Sequence, residues 1–196
     1  AQAAEKISQP LAMKILSPDI QHKSDIGGVA LNVTGAQDAR AAFDRLISAA
    51  AQHAPDARID GVLIAPMTTG GTELILGTVT DAFFGPVVMV GLGGVFAEIF
   101  KDTALRLAPV TEDQALEMLR ELKAFALLDG ARGRKPADIH AAARAVADLS
   151  RFAVRHADAV TEIDINPLLV RDAGEGAVAL DALIIGRTQP RQEAAE

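Results

Sequence analysis

The chain is 196 residues long, 49% hydrophobic, and carries 19 Lys+Arg against 26 Asp+Glu, a formal charge of -7. That acidic excess excludes a general nucleic-acid binder, which needs cationic surface to neutralise phosphates, and with no Trp or Tyr and only 7 Phe there is little surface for stacking bases. The absence of Cys excludes disulfide scaffolds, thiolate metal sites and cysteine catalysis, and the apolar runs are too short and too often broken by charge to span a membrane.

Taken in chain order, the pattern alternates between strand and helix. The chain opens at Ala1 without a signal-peptide apolar region or twin arginine, so it reads as a domain excerpt with no export address, and a cytoplasmic location is expected. Residues 11–16 form a short apolar run with one Lys in it, and Val29, Leu31 and Val33 alternate with Ala30 and Asn32; both predict strands. Phe43, Leu46, Ile47 and Ala50 recur at i, i+3, i+4 and i+7 within 36–51, which predicts an amphipathic helix. Three β-rich stretches follow, 61–67, 74–79 and 86–90, set apart by Thr69-Gly70-Gly71 and Phe84-Gly85-Pro86. Thr111 and Gln114 make a capping-box pattern for a helix continuing through Ala115, Leu119, Leu122 and Ala126. Pro136 suits the first turn of another helix, with Ile139, Ala142, Val146, Leu149 and Ala153 as its inner stripe. Two closing strands, 161–170 and 177–185, flank the turn residues Asp172 to Gly176, and the polar tail 187–196 reads as a linker. The sum is an α+β chain with mixed or antiparallel sheets, not a regular βαβ array.

Two constellations carry candidate chemistry. Lys14 lies between Met13 and Ile15 in the first strand, so its ammonium points away from their face. The following loop offers His22, Lys23, the Ser24 hydroxyl and the Gly27-Gly28 backbone. Cation, hydroxyl and exposed amides together suit phosphate; the plain alternative is a solvated edge strand with an ordinary turn. Standard phosphate fingerprints are missing: there is no G-x-x-x-x-G-K-[ST], and Gly91-Leu92-Gly93-Gly94-Val95-Phe96 fails G-x-G-x-x-G at Phe96. Near the C-terminus, Asp164 and Asn166 are two apart on one strand face, and a turn centred on Gly174 brings Asp181 about opposite Asn166. Two carboxylates and an amide form a hard-oxygen set suited to Mg2+ shared with substrate phosphates; the alternative is the polar face of an exposed ribbon. Against that alternative, Asp164 and Asp181 sit within strongly apolar strands, where an unpaired acid is costly. Glu73, opening an apolar strand, is either an acceptor for a sugar hydroxyl or a strand-end charge.

Several stretches together resemble one family. They are 14–29, Thr72-Glu73-Leu74-Ile75-Leu76-Gly77, Gly91 through Glu98, Leu105-Arg106-Leu107-Ala108-Pro109 and Glu162-Ile163-Asp164-Ile165-Asn166-Pro167-Leu168. The resemblance is to the ATP-grasp domain of nucleoside-diphosphate-forming acyl-CoA synthetases, the acetate–CoA ligase (ADP-forming) family related to succinyl-CoA synthetase β subunits, over residues 6–186. It implies two α+β lobes clasping ATP or ADP between antiparallel sheets. Residues 1–60 would be a first lobe with the phosphate loop, lacking its N-terminal part; 61–186 a second lobe with the metal-binding hairpin; and 187–196 a tail. It further implies that Lys14 contacts nucleotide phosphates, that Ser24, Gly27 and Gly28 cover them, and that Ala65 and Met67 offer backbone groups to adenine. Glu73 would lie near ribose or phosphates, while Asp164, Asn166 and Asp181 would hold Mg2+.

His22 matches the histidine of the family's H-K-[ST]-D motif, implied to relay phosphate on a mobile loop between an acyl-phosphate and ADP or ATP. An imidazole is a competent phosphoryl acceptor near neutral pH. His53, His140 and His156 read as surface or structural. The Arg132 and Arg134 region reads as helix entry in preference to an anion site. CoA-binding and ligase domains are expected in the same chain or a partner subunit, so this segment alone is expected not to make acyl-CoA. The rival reading is a regulatory ATP-grasp module, as in multidomain protein lysine acetyltransferases; a folded interaction module without nucleotide affinity is the third.

Overall fold

The computed structural model describes residues 4, 6–7, 10–94 and 102–187, with the backbone alone at Arg132. Val95, Phe96, Ala97 and Glu98 of the glycine-rich stretch, most of 1–9 and the tail beyond Arg187 lie outside the described residues. The chain divides into two compact units between Thr69 and Gly70.

Unit 1 contains β1 (Leu11–Leu16), β2 (Val29–Val33), α1 (Gly35–His53) and β3 (Gly61–Pro66). Its three strands form an antiparallel sheet in the order β2-β1-β3. Alternation along β1 decides the layering: Leu11, Met13 and Ile15 are buried in one cluster with Ala39, Ala42, Leu46 and Ala50 of α1. The small alanines let the helix lie close to the sheet, and each fully buried large side chain contributes about 1.5–3 kcal/mol. Asn32 takes φ 56° beside the register irregularity between Leu11 and Met13, a left-handed conformation that Asn tolerates. The sequence reading places 61–66 in the second lobe. Instead β3 pairs with β1 from Leu11↔Pro66 to Leu16↔Gly61, so it completes unit 1. The break falls where Gly70 and Gly71 both adopt positive φ (82° and 91°), rather than at 60/61.

Unit 2 contains β4 (Thr72–Asp81), β5 (Gly85–Leu92), β6 (Thr103–Leu107), α2 (Glu112–Glu121), α3 (Ile139–Arg155), β7 (Val160–Val170), β8 (Ala177–Ala179) and β9 (Ala182–Gly186). Its antiparallel sheet runs β6-β5-β4-β7-β8, with β9 also on β7. Leu74, Leu76, Val88 and Val90 are fully buried with Met118 and Leu119 of α2 and Ala142 and Val146 of α3. The expected capping box at Thr111 and Gln114 is present, and the expected inner stripe of α3 is buried apart from half-buried Ile139.

Four elements differ from expectation. β6 lies in a stretch read only as a motif. α2 stops at Glu121 instead of continuing to Ala126, because the buried Asp102 carboxylate accepts the N–H groups of Lys123 and Ala124, both at 2.9 Å. α3 begins at Ile139, with Asp138 as its N-cap, so Pro136 precedes the helix. The final strand is interrupted at Leu180-Asp181, opposite Asn166-Pro167. Pro167 accepts from the Leu180 N–H at 2.9 Å but has no N–H to return, so the ladder breaks there. Asp181 therefore lies between β8 and β9, not within an apolar strand. Among the described residues, no helix is long and apolar enough to cross a membrane.

Candidate functional site

In each unit, helices cover one face of the sheet, and the register places the candidate side chains on the opposite face. In unit 1, Lys14 is half-buried between buried Met13 and Ile15 and stands opposite Val29 and Leu63. It thus points away from the α1 face, as its alternation predicts. Ala65 stands opposite Ala12, on the same face as Lys14. The Met67 N–H donates to the Pro10 carbonyl at 2.7 Å, so the backbone group Met67 offers elsewhere is its carbonyl.

The loop after β1 is short and closed on itself. His22 is exposed and precedes a 3-10 turn, Lys23–Ile26, without capping it through its side chain. Gly27 ends the turn in the left-handed region (φ 70°), donating to the carbonyls of Ser24 at 3.1 Å and Lys23. Gly28 donates to the Lys23 carbonyl at 2.7 Å, and a Cβ at Gly28 would stand 2.7 Å from that same oxygen. Only glycine lets the chain approach so closely. The imidazole and the Ser24 hydroxyl are thus presented together on one exposed turn, whereas the Gly27 and Gly28 N–H groups are spent closing it and are not the exposed amides the sequence suggests.

In unit 2, Gly77 stands opposite both Met89 and Asp164, and Asp164 stands opposite Leu183. Buried Leu76 and Thr78 face the helices, so their neighbours Ile75, Gly77 and Val79, together with Asp164, occupy the other face. That face is largely apolar: Val79, Leu105 and Leu107 are each more than half exposed there. Asp164 is half-buried and Asn166 exposed. The Asn166 N–H donates to the Asp181 carbonyl at 3.2 Å, which puts these two residues opposite each other. The Asp181 Oδ1 accepts the Ala182 N–H at 3.1 Å. Glu73 lies at the other end of β4 beside the glycine loop. Its carbonyl accepts the Gly93 N–H at 2.8 Å, and a Cβ at Gly94 would come within 3.4 Å of its Oε2.

Among the described residues, no group of three or more His, Asp or Glu side chains forms a complete metal cage. By chemistry alone, the two carboxylates and one amide oxygen of Asp164, Asp181 and Asn166 fit a cation that takes its remaining ligands from polyphosphate and water, as Mg2+ does.

Two polar residues that shape these loops, Asp138 and Asp102, escape the sequence reading, and Arg134, read there only as helix entry, has a further contact. Asp138 accepts three backbone N–H groups: Ala141 at 3.0 Å, Gly174 at 3.1 Å and Gly176 at 3.0 Å. Those amides, Ala141 first, hold its carboxyl below the usual carboxylate range, assisted by nearby Arg144 and opposed by partial burial. It ties the start of α3 to the turn that returns toward Asp181. Its signal, an Asp just before an apolar-periodic run, is legible as an N-cap. Arg134 donates to the Gly71 carbonyl at 3.0 Å. Gly71 itself packs so tightly that a Cβ would lie 2.4 Å from the Val170 oxygen. Asp102, whose carboxylate ends α2, has no local signal.

Comparison with known proteins places these features in a family. The profile of the ATP-grasp domain matches residues 1–185. The chain is 45% identical over 180 residues to the acetate–CoA ligase [ADP-forming] I subunit beta of Pyrococcus furiosus, covering 92% of this chain and 76% of that one. It is 46% identical over 175 residues to acetate–CoA ligase [ADP-forming] I of Archaeoglobus fulgidus, covering 89% of this chain but only 25% of that one. Among solved structures, it resembles acetyl-coenzyme A synthetase 1 of Ca. Korarchaeum cryptofilum in two states. One holds coenzyme A and Mg-AMPPCP with its phosphohistidine segment pointing towards the nucleotide binding site (TM-score 0.79, 36% identity, 95% of this chain and 80% of that one). The other holds coenzyme A, acetyl-coenzyme A and a phosphorylated phosphohistidine segment in the site I orientation (TM-score 0.80, 38% identity, 94% and 79%).

Proposed function

This chain belongs to the ATP-grasp domain family, and on that premise we propose that it is the nucleotide-binding segment of an ADP-forming acyl-CoA synthetase and carries the γ-phosphoryl group between ATP and His22. The observation that carries the reading is the exposed His22-Lys23-Ser24 turn, closed by Gly27-Gly28 and following the Lys14 strand. Lys14 binds the nucleotide phosphates as a point charge, and the Ser24 hydroxyl orients the group in transfer from the turn that Gly27 and Gly28 close over the phosphates. The His22 ring nitrogen supplies the lone pair: an N–P bond forms as the O–P bond to ADP breaks, and the electron pair leaves on ADP. The reverse step makes ATP. Lys23, next to His22, offsets the charge the imidazole acquires. Asp164, Asn166 and Asp181 would hold Mg2+, which would supply charge neutralisation to the phosphate oxygens. Glu73 and the Ala65–Met67 backbone orient the nucleoside.

The acyl group and CoA are handled by other domains or a partner subunit, since the chain spans about a quarter of the Archaeoglobus relative and three quarters of the Pyrococcus subunit. The Korarchaeum enzyme's phosphohistidine segment, pointing towards its nucleotide binding site in one state and phosphorylated in another, supports a phosphoryl relay through histidine in this family. In the full-length protein, γ-labelled ATP should place acid-labile, base-stable phosphate on this domain, and His22→Ala should abolish it. Label surviving that substitution would remove His22 from the relay.

A further inference from the structure

We propose that Asp19 and Ile20 form a fixed post for the His22 loop, so that residues 21–27 are the whole of the moving element and Asp19 is a positioning residue for His22; this rests on the phosphoryl-relay reading of His22.

The two sides of the loop are held very differently from its middle. On the entering side, the Leu16 carbonyl accepts the Asp60 N–H at 2.8 Å, and the Asp19 Oδ2 accepts the Arg58 N–H at 2.7 Å. The Ser17 Oγ accepts the Asp19 N–H at 3.1 Å, shaping the turn that aims the carboxylate. Ile20 follows directly, 6% exposed, in the core cluster that includes Leu46 and Ala50 of α1. On the leaving side, Gly28 is buried and its carbonyl accepts the Ile15 N–H at 2.9 Å, which fixes it to the sheet.

Between these ends, the Asp25 N–H donates to His22 at 3.3 Å and the Gly27 N–H to Ser24 at 3.1 Å inside the turn. The backbone bond from the turn to its fixed leaving side is the Gly28 N–H to the Lys23 carbonyl at 2.7 Å, which opens when the turn lifts. Its apolar attachment is Ile26, which is only half-buried, and Gly27 lies near Ala49. A charge-assisted bond plus a buried isoleucine on one side outlast a half-buried isoleucine on the other. The turn therefore lifts at Ile26, with Gln21 and the Gly27-Gly28 pair as its hinges. Because His22 is two residues from the post, its Cα stays within roughly 7 Å of that of Ile20 while the post holds. The post thus sets the arc over which the phosphorylated imidazole can travel.

Residue-resolved hydrogen–deuterium exchange on the full-length protein tests this, with the amides of Gly27 and Arg58 as reporters. The Gly27 amide should exchange roughly tenfold or more faster than that of Arg58. Asp19→Ala should raise Arg58 exchange and slow His22 labelling from ATP several-fold, while the Mg·ATP-dependent rise in melting temperature stays as in the parent. Asp19→Asn, which keeps an acceptor oxygen, should restore most of both. Equal exchange at Gly27 and Arg58, or Arg58 exchange unmoved by Asp19→Ala, would mean the post travels with the loop and would overturn the proposal. If ATP leaves no label on His22 while the exchange contrast and its response to Asp19→Ala persist, the relay reading fails and the post stands.

Discussion

Asp138 gathers three backbone amides onto one carboxylate, and the charge is what makes the cluster tight. Because these bonds depress its folded pKa, the stabilisation is complete above the ordinary carboxylate pKa of about 3.9 and drains away as pH falls through the lower folded value. Asp138→Asn keeps one acceptor oxygen but loses the charge. It should cost about 1 kcal/mol at pH 7, the scale of an N-cap or a charge-assisted bond. In urea unfolding the gap between parent and variant should close at pH values where both side chains are neutral. A gap that stays constant down to pH 2 would show that the carboxylate's charge contributes nothing. At this same scale, the pairing of Asn166 with Asp181 is legible from the hairpin arithmetic around Gly174, because loop length fixes register. The triple role of Asp138 is only partly legible: its N-cap bond is local, whereas its bonds to Gly174 and Gly176 join residues 36 and 38 positions away.

At the scale of elements, long periodic segments are readable and their ends are not. α1, α3 and β7 exist where spacing puts them, although the buried face of α1 is Ala39, Ala42, Leu46 and Ala50, with the expected Phe43 exposed and Ile47 half-buried. α2 loses its last expected turn to Asp102, which sits 21 and 22 residues before the amides it accepts. No local rule anticipates that distance. β6 is hidden because it is a five-residue edge strand whose Leu105 and Leu107 are exposed, so its apolar alternation points outward. The break between β8 and β9 follows from Pro167 on the neighbouring strand, a cross-strand effect that reading 177–185 alone misses. Asp102→Ala should leave the Lys123 and Ala124 amides without their carboxylate and cost about 2–4 kcal/mol, read as a lower urea midpoint at unchanged m-value. A change under about 0.5 kcal/mol, the size of an ordinary surface substitution, would mean water replaces the carboxylate without loss.

For the whole molecule, the division into two units places the candidate residues on separate pieces of sequence. Lys14, His22 and the glycine turn belong to unit 1, and Glu73, Asp164, Asn166 and Asp181 to unit 2. The antiparallel sheets and the family are legible from motifs, whereas the unit boundary is not: β3 looks like the first strand of unit 2 until its pairing with β1 is seen. If one Mg·nucleotide draws on both sets, then removing either cripples the same binding event. The most direct measurement is the rise in melting temperature that Mg·ATP produces in the full-length protein, which at a hundred-fold excess over Kd corresponds to about 2.7 kcal/mol. Lys14→Ala and Asp164→Asn should each abolish most of that rise, and chelating Mg2+ should do the same to the parent. A full rise retained in both variants would place the nucleotide elsewhere and contradict the account.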